Sequence, residues 1–135
     1  MALITWDARL ETGHAAIDEQ HKSLVEILNR LHTAMKQGRG KGELEGILVF
    51  LKDYTVTHFA MEENLMAQHG YAGAPQHKAI HADLVRQVEE LVVRFQAGTG
   101  ALTLDVMNFL EDWLVKHIQA EDYAFAQDLR AKGVH

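Results

Sequence analysis

Apolar residues recur three and four positions apart through most of this chain, in four blocks divided by glycines, and that spacing is the period of an amphipathic helix. The first block runs from about 19 to 37. Its stripe is Leu24, Val25, Leu28, Leu31 and Met35, with Asp18 placed as an N-cap and Gly38 as the stop. The second, about 43–68, carries Leu44, Ile47, Leu48, Leu51, Tyr54, Phe59, Leu65 and Met66 and closes at Gly70. Gly46 within it costs about 1 kcal/mol against alanine, and reads as a point of close helix approach. The third, about 75–97, opens on Pro75 and continues through Leu84, Val88, Leu91, Val92 and Phe95 to Gly98. The fourth, about 103–131, starts at a cap, Thr103, and carries Val106, Phe109, Leu110, Trp113 and Leu114. Tyr123, Phe125 and Leu129 continue it less regularly, leaving open whether that tail is one helix or two.

No block alternates with the period of a strand. Four long amphipathic segments with short connections bury their stripes best as an all-α, antiparallel up-down-up-down four-helix bundle, here with an extended N-terminal leader over residues 1–17. A length of 135 residues suits a single domain able to bury its own core.

Composition narrows the function. The net charge of −6 disfavours nucleic acid and anionic membrane surfaces as partners, since both repel it. There is no cysteine, which removes disulfides, thiolate metal sites and thiol nucleophiles. The amino terminus shows no basic region followed by a long apolar run, and no window approaches eighteen uninterrupted apolar residues, so the expectation is a cytoplasmic protein without membrane insertion. No spare apolar stripe stands out, and a monomer is the default.

Nine histidines are many for this length, and the position of five of them carries the chemistry. His21 lies near the start of the first helix, His58 with Glu62 toward the end of the second, His77 with His81 at the start of the third, and His117 with Asp122 late in the fourth. Alternating chain direction brings all of these to one end of the bundle. His58 and Glu62 are four apart, as are His77 and His81, so each pair shares a helix face, and both faces are the apolar ones. Seven inward imidazole and carboxylate groups without partners would cost several kcal/mol in total, and a metal satisfies them. His117 and Asp122 fit less simply. Five residues of regular helix separate two side chains by roughly 140° around the axis, which predicts either a π-type widening there or a long reach by the carboxylate.

Together these elements resemble a known family. The runs WDARLETGHAAIDEQHKSL at 6–24, HFAME at 58–62, HKAIH at 77–81 and WLVKHIQAED at 113–122 are similar to the signature of the hemerythrins, specifically the bacterial ones, over nearly the whole chain. The resemblance implies two iron ions, with His77, His81 and His117 on one, His21 and His58 on the other, and Glu62, Asp122 and an oxo or hydroxo group bridging them. The first iron then has six donors and the second five, which leaves one position for dioxygen. It further implies Leu24, Phe59, Trp113 and Ile118 as an apolar pocket around that position. Tyr123 stands where relatives often carry lysine, which bears on contacts behind the ligands rather than on ligation.

The expected activity is reversible dioxygen binding for storage, transport or buffering, without catalytic turnover, and the sequence names no recipient protein. Five neutral imidazoles with two carboxylates favour release of dioxygen over cleavage of its bond, whereas carboxylate-rich di-iron sites use Glu-x-x-His motifs absent from these inward faces. A di-iron oxidoreductase acting on peroxide or nitric oxide, and an oxygen or redox sensor, are the alternatives. The remaining histidines read as bystanders: His14 at the surface, and His32, His69 and His135 solvated or locally hydrogen-bonded.

Overall fold

The computed structural model describes residues 4–98 and 104–134. After a single 3-10 turn, Ala8–Leu10, the chain forms α1 (Ala15–Lys36), α2 (Lys41–His69), α3 (Ala74–Ala97) and α4 (Leu104–His117). A π-helical turn, Ile118–Asp122, joins α4 to α5 (Tyr123–Ala131), and the three together make the fourth rod of an all-α four-helix bundle. Rod α1 packs against α2 and α4, and α2 packs against α3. The last rod is therefore one line of chain with a local change of pitch.

The expected boundaries shift for identifiable reasons. The leader ends earlier than residue 17, because His14 rather than Asp18 caps α1: its Nδ1 accepts from the backbone N–H of Ile17 at 3.3 Å. Asp18 lies one turn inside the helix and reaches back, accepting from the backbone N–H and the hydroxyl of Thr12 at 2.8 and 2.7 Å. That bond ties the leader to the first turn, where a carboxylate also suits the helix dipole. His14 is consequently buried, not at the surface. The glycine stops behave as read: Gly70 and Gly98 follow α2 and α3 with φ of 61° and 75°, left-handed values that a Cβ disfavours. Pro75 sits in the first turn of α3, where no N–H is needed. Thr103 lies outside the described residues.

Three further expectations change. Gly46 is exposed, and a Cβ built on it would meet nothing within 4 Å, so it marks no close approach. Phe109 is 43% exposed: Met107, Leu110 and Leu114 occupy the inner stripe of α4, and at about 100° per residue position 109 falls on its outer flank. Tyr123 is likewise exposed, because the extra residue of the π turn rotates it outward while Phe125, Ala126 and Leu129 turn in.

Two apolar cores result. The larger fills most of the bundle with residues such as Leu28, Leu31, Leu48, Val88 and Met107. The smaller, Ile17, Met66, Phe125 and Leu129, plugs one end, with Tyr71 and Ala74 of the α2–α3 connection packed on it. Between them lies a polar layer. Among the described residues no helix is long and apolar enough to cross a membrane.

Candidate metal centre

Every rod contributes to the layer between the two cores. His21 comes from the second turn of α1, His58 and Glu62 from α2, His77 and His81 from the first half of α3, His117 from the end of α4 and Asp122 from the end of the π turn. All seven are at most 4% exposed. The structure brings together the whole set expected from spacing.

Asp122 reaches the layer through the π turn. The Tyr123 N–H bonds to the carbonyl of Ile118, five residues back, and the wider turn offsets the 140° that a regular helix would put between His117 and Asp122. One oxygen of Asp122 then lies 2.8 Å from His77 Nε2 and 3.1 Å from His117 Nε2, and the other lies 2.9 Å from His21 Nε2. Glu62 plays the matching part from α2, with Oε1 3.1 Å from His58 Nε2 and 3.5 Å from His81 Nε2.

These atoms fall into two groups whose members lie within 4.8 Å of one another: Glu62, His77, His81, His117 and Asp122 in one, and His21, His58, Glu62 and Asp122 in the other. Both carboxylates belong to both groups. The atoms are close but poorly paired. Among the described residues, His21 Nε2 and Nδ1, His58 Nε2, His117 Nδ1, both Glu62 oxygens and Asp122 Oδ2 are buried without a hydrogen bond, although several lie near 3 Å from a neighbour. Lone pairs and N–H groups aimed at a common point, not at each other, give this combination of short distance and wrong angle. Each such buried atom costs about 1–3 kcal/mol, a cost that cations held at the common point would offset. His81 Nε2 and His117 Nε2 stand 3.2 Å apart, near the ~3.0 Å expected of two nitrogens held at right angles about 2.1 Å from one ion.

Protonation behaviour points the same way. Burial first, then the Asp122 charge, raises the Glu62 carboxyl above its ordinary range. Burial also pushes Asp122 upward, but the close imidazoles of His117, His21 and His77 outweigh it and hold that carboxyl well below the usual value. Burial drives His58 down to about 4 and lowers His81, whereas His117 is raised: burial opposes its charge, and Asp122 more than restores it. Two carboxylates compete for one dry space, and cations placed between them would let both ionise. The donor set of five imidazoles and two carboxylates suits iron, and no thiolate is available to favour softer ions.

A cavity of about 40 Å³ opens beside the layer on the side of the larger core. Leu24, Phe59 and Trp113 line it as expected, together with Leu28, Leu51, Leu84, Val88, Leu110 and Leu114. Ile118 is buried in the same core but does not line the space. Of the seven polar residues, His21, His58, His117 and Asp122 reach the cavity. Phe59 stacks flat on His81 at 3.7 Å between ring centres, and Trp113 stacks on His117 at 4.5 Å, so two cavity walls also fix ligand rings.

The family model described as the Hemerythrin HHE cation binding domain matches residues 12–129. The chain belongs to the hemerythrin family. Among relatives of this hemerythrin, bacteriohemerythrin of Pseudomonas aeruginosa strain PAO1 is 40% identical over 96% of this chain and 84% of its own. That of Methylococcus capsulatus is 38% identical over 97% and 100%. The myohemerythrin of Riftia pachyptila is 27% identical over 92% of both chains. A crystal structure of wild-type hemerythrin superposes with a TM-score of 0.90 at 37% identity, covering 95% of this chain and 98% of that one. The buried histidine and carboxylate layer is thus the carboxylate-bridged di-iron type of site typical of hemerythrins.

Side chains behind the ligands were not foreseen. Gln20 Oε1 lies 2.6 Å from His58 Nδ1, and Glu63 Oε2 lies 3.1 Å from His81 Nδ1. Glu121 Oε2 approaches His117 Nδ1 to 3.4 Å. Only the last left a trace in the sequence, as an i, i+4 pair. His32 departs from expectation too: it is buried near the larger core, its Nδ1 has no hydrogen bond among the described residues, and burial lowers its pKa.

Proposed function

We propose that this protein binds dioxygen reversibly, as a store, carrier or buffer, at two iron ions held by His77, His81 and His117 on one side, His21 and His58 on the other, and Glu62 and Asp122 between them. The observation that carries the reading is the placement of the cavity, which reaches both His21 and His58 but, of the other three histidines, His117 alone. When bound, the iron pair would supply the electrons that reduce dioxygen and a place to hold it, and His21 and His58 would hold the ion beside the cavity.

The protein's own residues do the rest. Glu62 and Asp122 span both donor groups, so they would hold the two ions at a fixed separation. Phe59 and Trp113 lock the rings of His81 and His117 by stacking, so these walls of the cavity would stay fixed while a ligand enters. The leucine and valine walls exclude water, and a space of about 40 Å³ accommodates a molecule of two or three heavy atoms. Proton supply is poor, which favours release over cleavage of the oxygen bond. Among the lining residues that are not proposed ligands, only Thr55 and Trp113 carry polar hydrogens, and the Thr55 hydroxyl is committed to the Leu51 carbonyl at 2.7 Å.

We further infer a cytoplasmic monomer, which sedimentation and cell fractionation check. The central test of dioxygen binding is the absorption spectrum of the reduced, iron-loaded protein before air, after air and after degassing. A colour change that reverses on degassing is expected. Stoichiometric consumption of oxygen with a permanently oxidised product would overturn the reading.

A further inference from the structure

The two donor groups differ in what stands behind them. On the three-histidine side, His81 and His117 turn Nε2 inward and present Nδ1 to the carboxylates of Glu63 and Glu121. On the two-histidine side, His58 does the same, but its Nδ1 meets the neutral amide of Gln20 at 2.6 Å. His21 Nδ1 is buried with no hydrogen bond among the described residues. Anionic side chains thus stand behind one ion site, hydrogen-bonded at His81 and at 3.4 Å without a hydrogen bond at His117, and a single uncharged acceptor backs the other.

A hydrogen-bond acceptor at Nδ1 fixes which nitrogen of the ring carries the proton, and the charge of that acceptor sets how strongly the other nitrogen donates to a metal. Gln20 is half-buried on the helix that also supplies His21, and its amide oxygen is the atom facing His58. We propose that Gln20 is a positioning residue for the iron that faces the cavity: it holds His58 with hydrogen on Nδ1 and the Nε2 lone pair toward Glu62, and, being neutral, it keeps that iron less electron-rich than its neighbour. This rests on the proposed di-iron reading, and it assigns unequal roles to the two ions. The cavity-side iron stays easier to keep reduced, while the carboxylate-backed side is the better electron donor.

The test begins without metal or oxygen. Long-range proton–nitrogen NMR of the metal-free protein should show His58 with hydrogen on Nδ1, and Gln20→Leu, which removes the acceptor, should lose that preference. Chelator competition should then show ferrous iron held about tenfold more weakly by Gln20→Leu. Gln20→Glu, which restores an acceptor and adds charge, should retain the affinity while the reduced protein oxidises irreversibly in air severalfold faster than wild type. Glu63→Gln should slow that oxidation. Circular dichroism establishes that each variant is folded, and Gln20→Glu alone decides the charge argument if Gln20→Leu is not. Hydrogen on Nε2 of His58 in the wild type overturns the proposal, as does unchanged affinity in Gln20→Leu, or an air-oxidation rate in Gln20→Glu equal to wild type. The tautomer and the affinity are read without oxygen, so a failure of reversible oxygenation removes the functional reading and leaves these results standing.

Discussion

His77, His81 and His117 crowd one side of the two carboxylates, with Phe59 and Trp113 pressed against two of their rings, whereas His21 and His58 meet the same carboxylates with an open apolar space beside them. The contrast teaches how one polar layer can serve two purposes. Three imidazoles and two shared carboxylates leave a single ion little to gain from another ligand. Two imidazoles and the same carboxylates would leave one side of an ion unserved, and both histidines of that half, with His117 alone of the other three, border the space that the core leaves unfilled. On the proposed assignment of ligands, holding and admitting are divided between the halves of one cluster.

The change expected to do most damage removes what the halves share. Asp122 approaches His21, His77 and His117 within 3.1 Å, so Asp122→Ala takes a donor from both ions at once. Iron content, read by elemental analysis, should fall from two per chain to near zero. Retention of both ions would mean that the carboxylate is not a bridge. His77→Ala, by contrast, touches the three-histidine half alone. It should sharply reduce iron content but leave a partly loaded protein, and full retention of iron would contradict the assignment of ligands.

Protonation offers a milder way to tell individual imidazoles of the two halves apart in the metal-free protein. Burial holds His58 down to about 4 in the folded chain, against about 6.5 when unfolded. Between those values the unfolded state binds more protons, so this group's contribution is fully present above pH 6.5 and is lost as pH falls toward 4. The span corresponds to roughly 3 kcal/mol. His81 shares that direction. His117 runs the other way: its pKa is raised, so its contribution is present below 6.5 and lost as pH rises through the folded value. Urea denaturation of metal-free protein at pH 7 and pH 4.5 should therefore show a smaller acid-induced loss in His58→Leu than in wild type, and a larger one in His117→Leu. Equal losses in all three proteins would mean that the imidazoles do not differ as described.

Much of this was readable in the residues. Helical period and glycine stops set the rods, and two four-residue spacings place His58, Glu62, His77 and His81 on inward faces. The awkward five-residue step from His117 to Asp122 was itself the signal of the π turn. What escaped were features decided by reach across the fold. A histidine caps α1 because its ring happens to lie beside the Ile17 N–H, and Asp18, the conventional capping residue, is drawn to Thr12 instead. Phe109 and His32 exchange their expected environments because a stripe drawn from composition does not fix its edges to within one residue. Gln20 and Glu63 are polar, half-exposed and adjacent to ligands, and nothing local distinguishes them from surface residues. Likewise, the family resemblance marked Ile118 as a pocket residue, but facing the cavity depends on a rotation that the π turn sets.

The smallest effect tests the cavity alone. Val88 is buried on α3, lines the space, and belongs to the larger core without touching the proposed ligands in sequence. Val88→Leu adds one methylene, about the volume needed to fill much of a 40 Å³ void. Because the void is already there, overpacking should be limited and stability should change by less than about 1.5 kcal/mol. Iron content should not change, since no donor moves. Stopped-flow mixing with oxygen should nonetheless show association slowed severalfold. Val88→Ala enlarges the same space and should leave association at least as fast, at a cost of about 1–2 kcal/mol in stability from lost packing. If both variants combine with oxygen at the wild-type rate, oxygen does not use this space, and the division between a holding half and an admitting half fails even with every ligand correctly assigned.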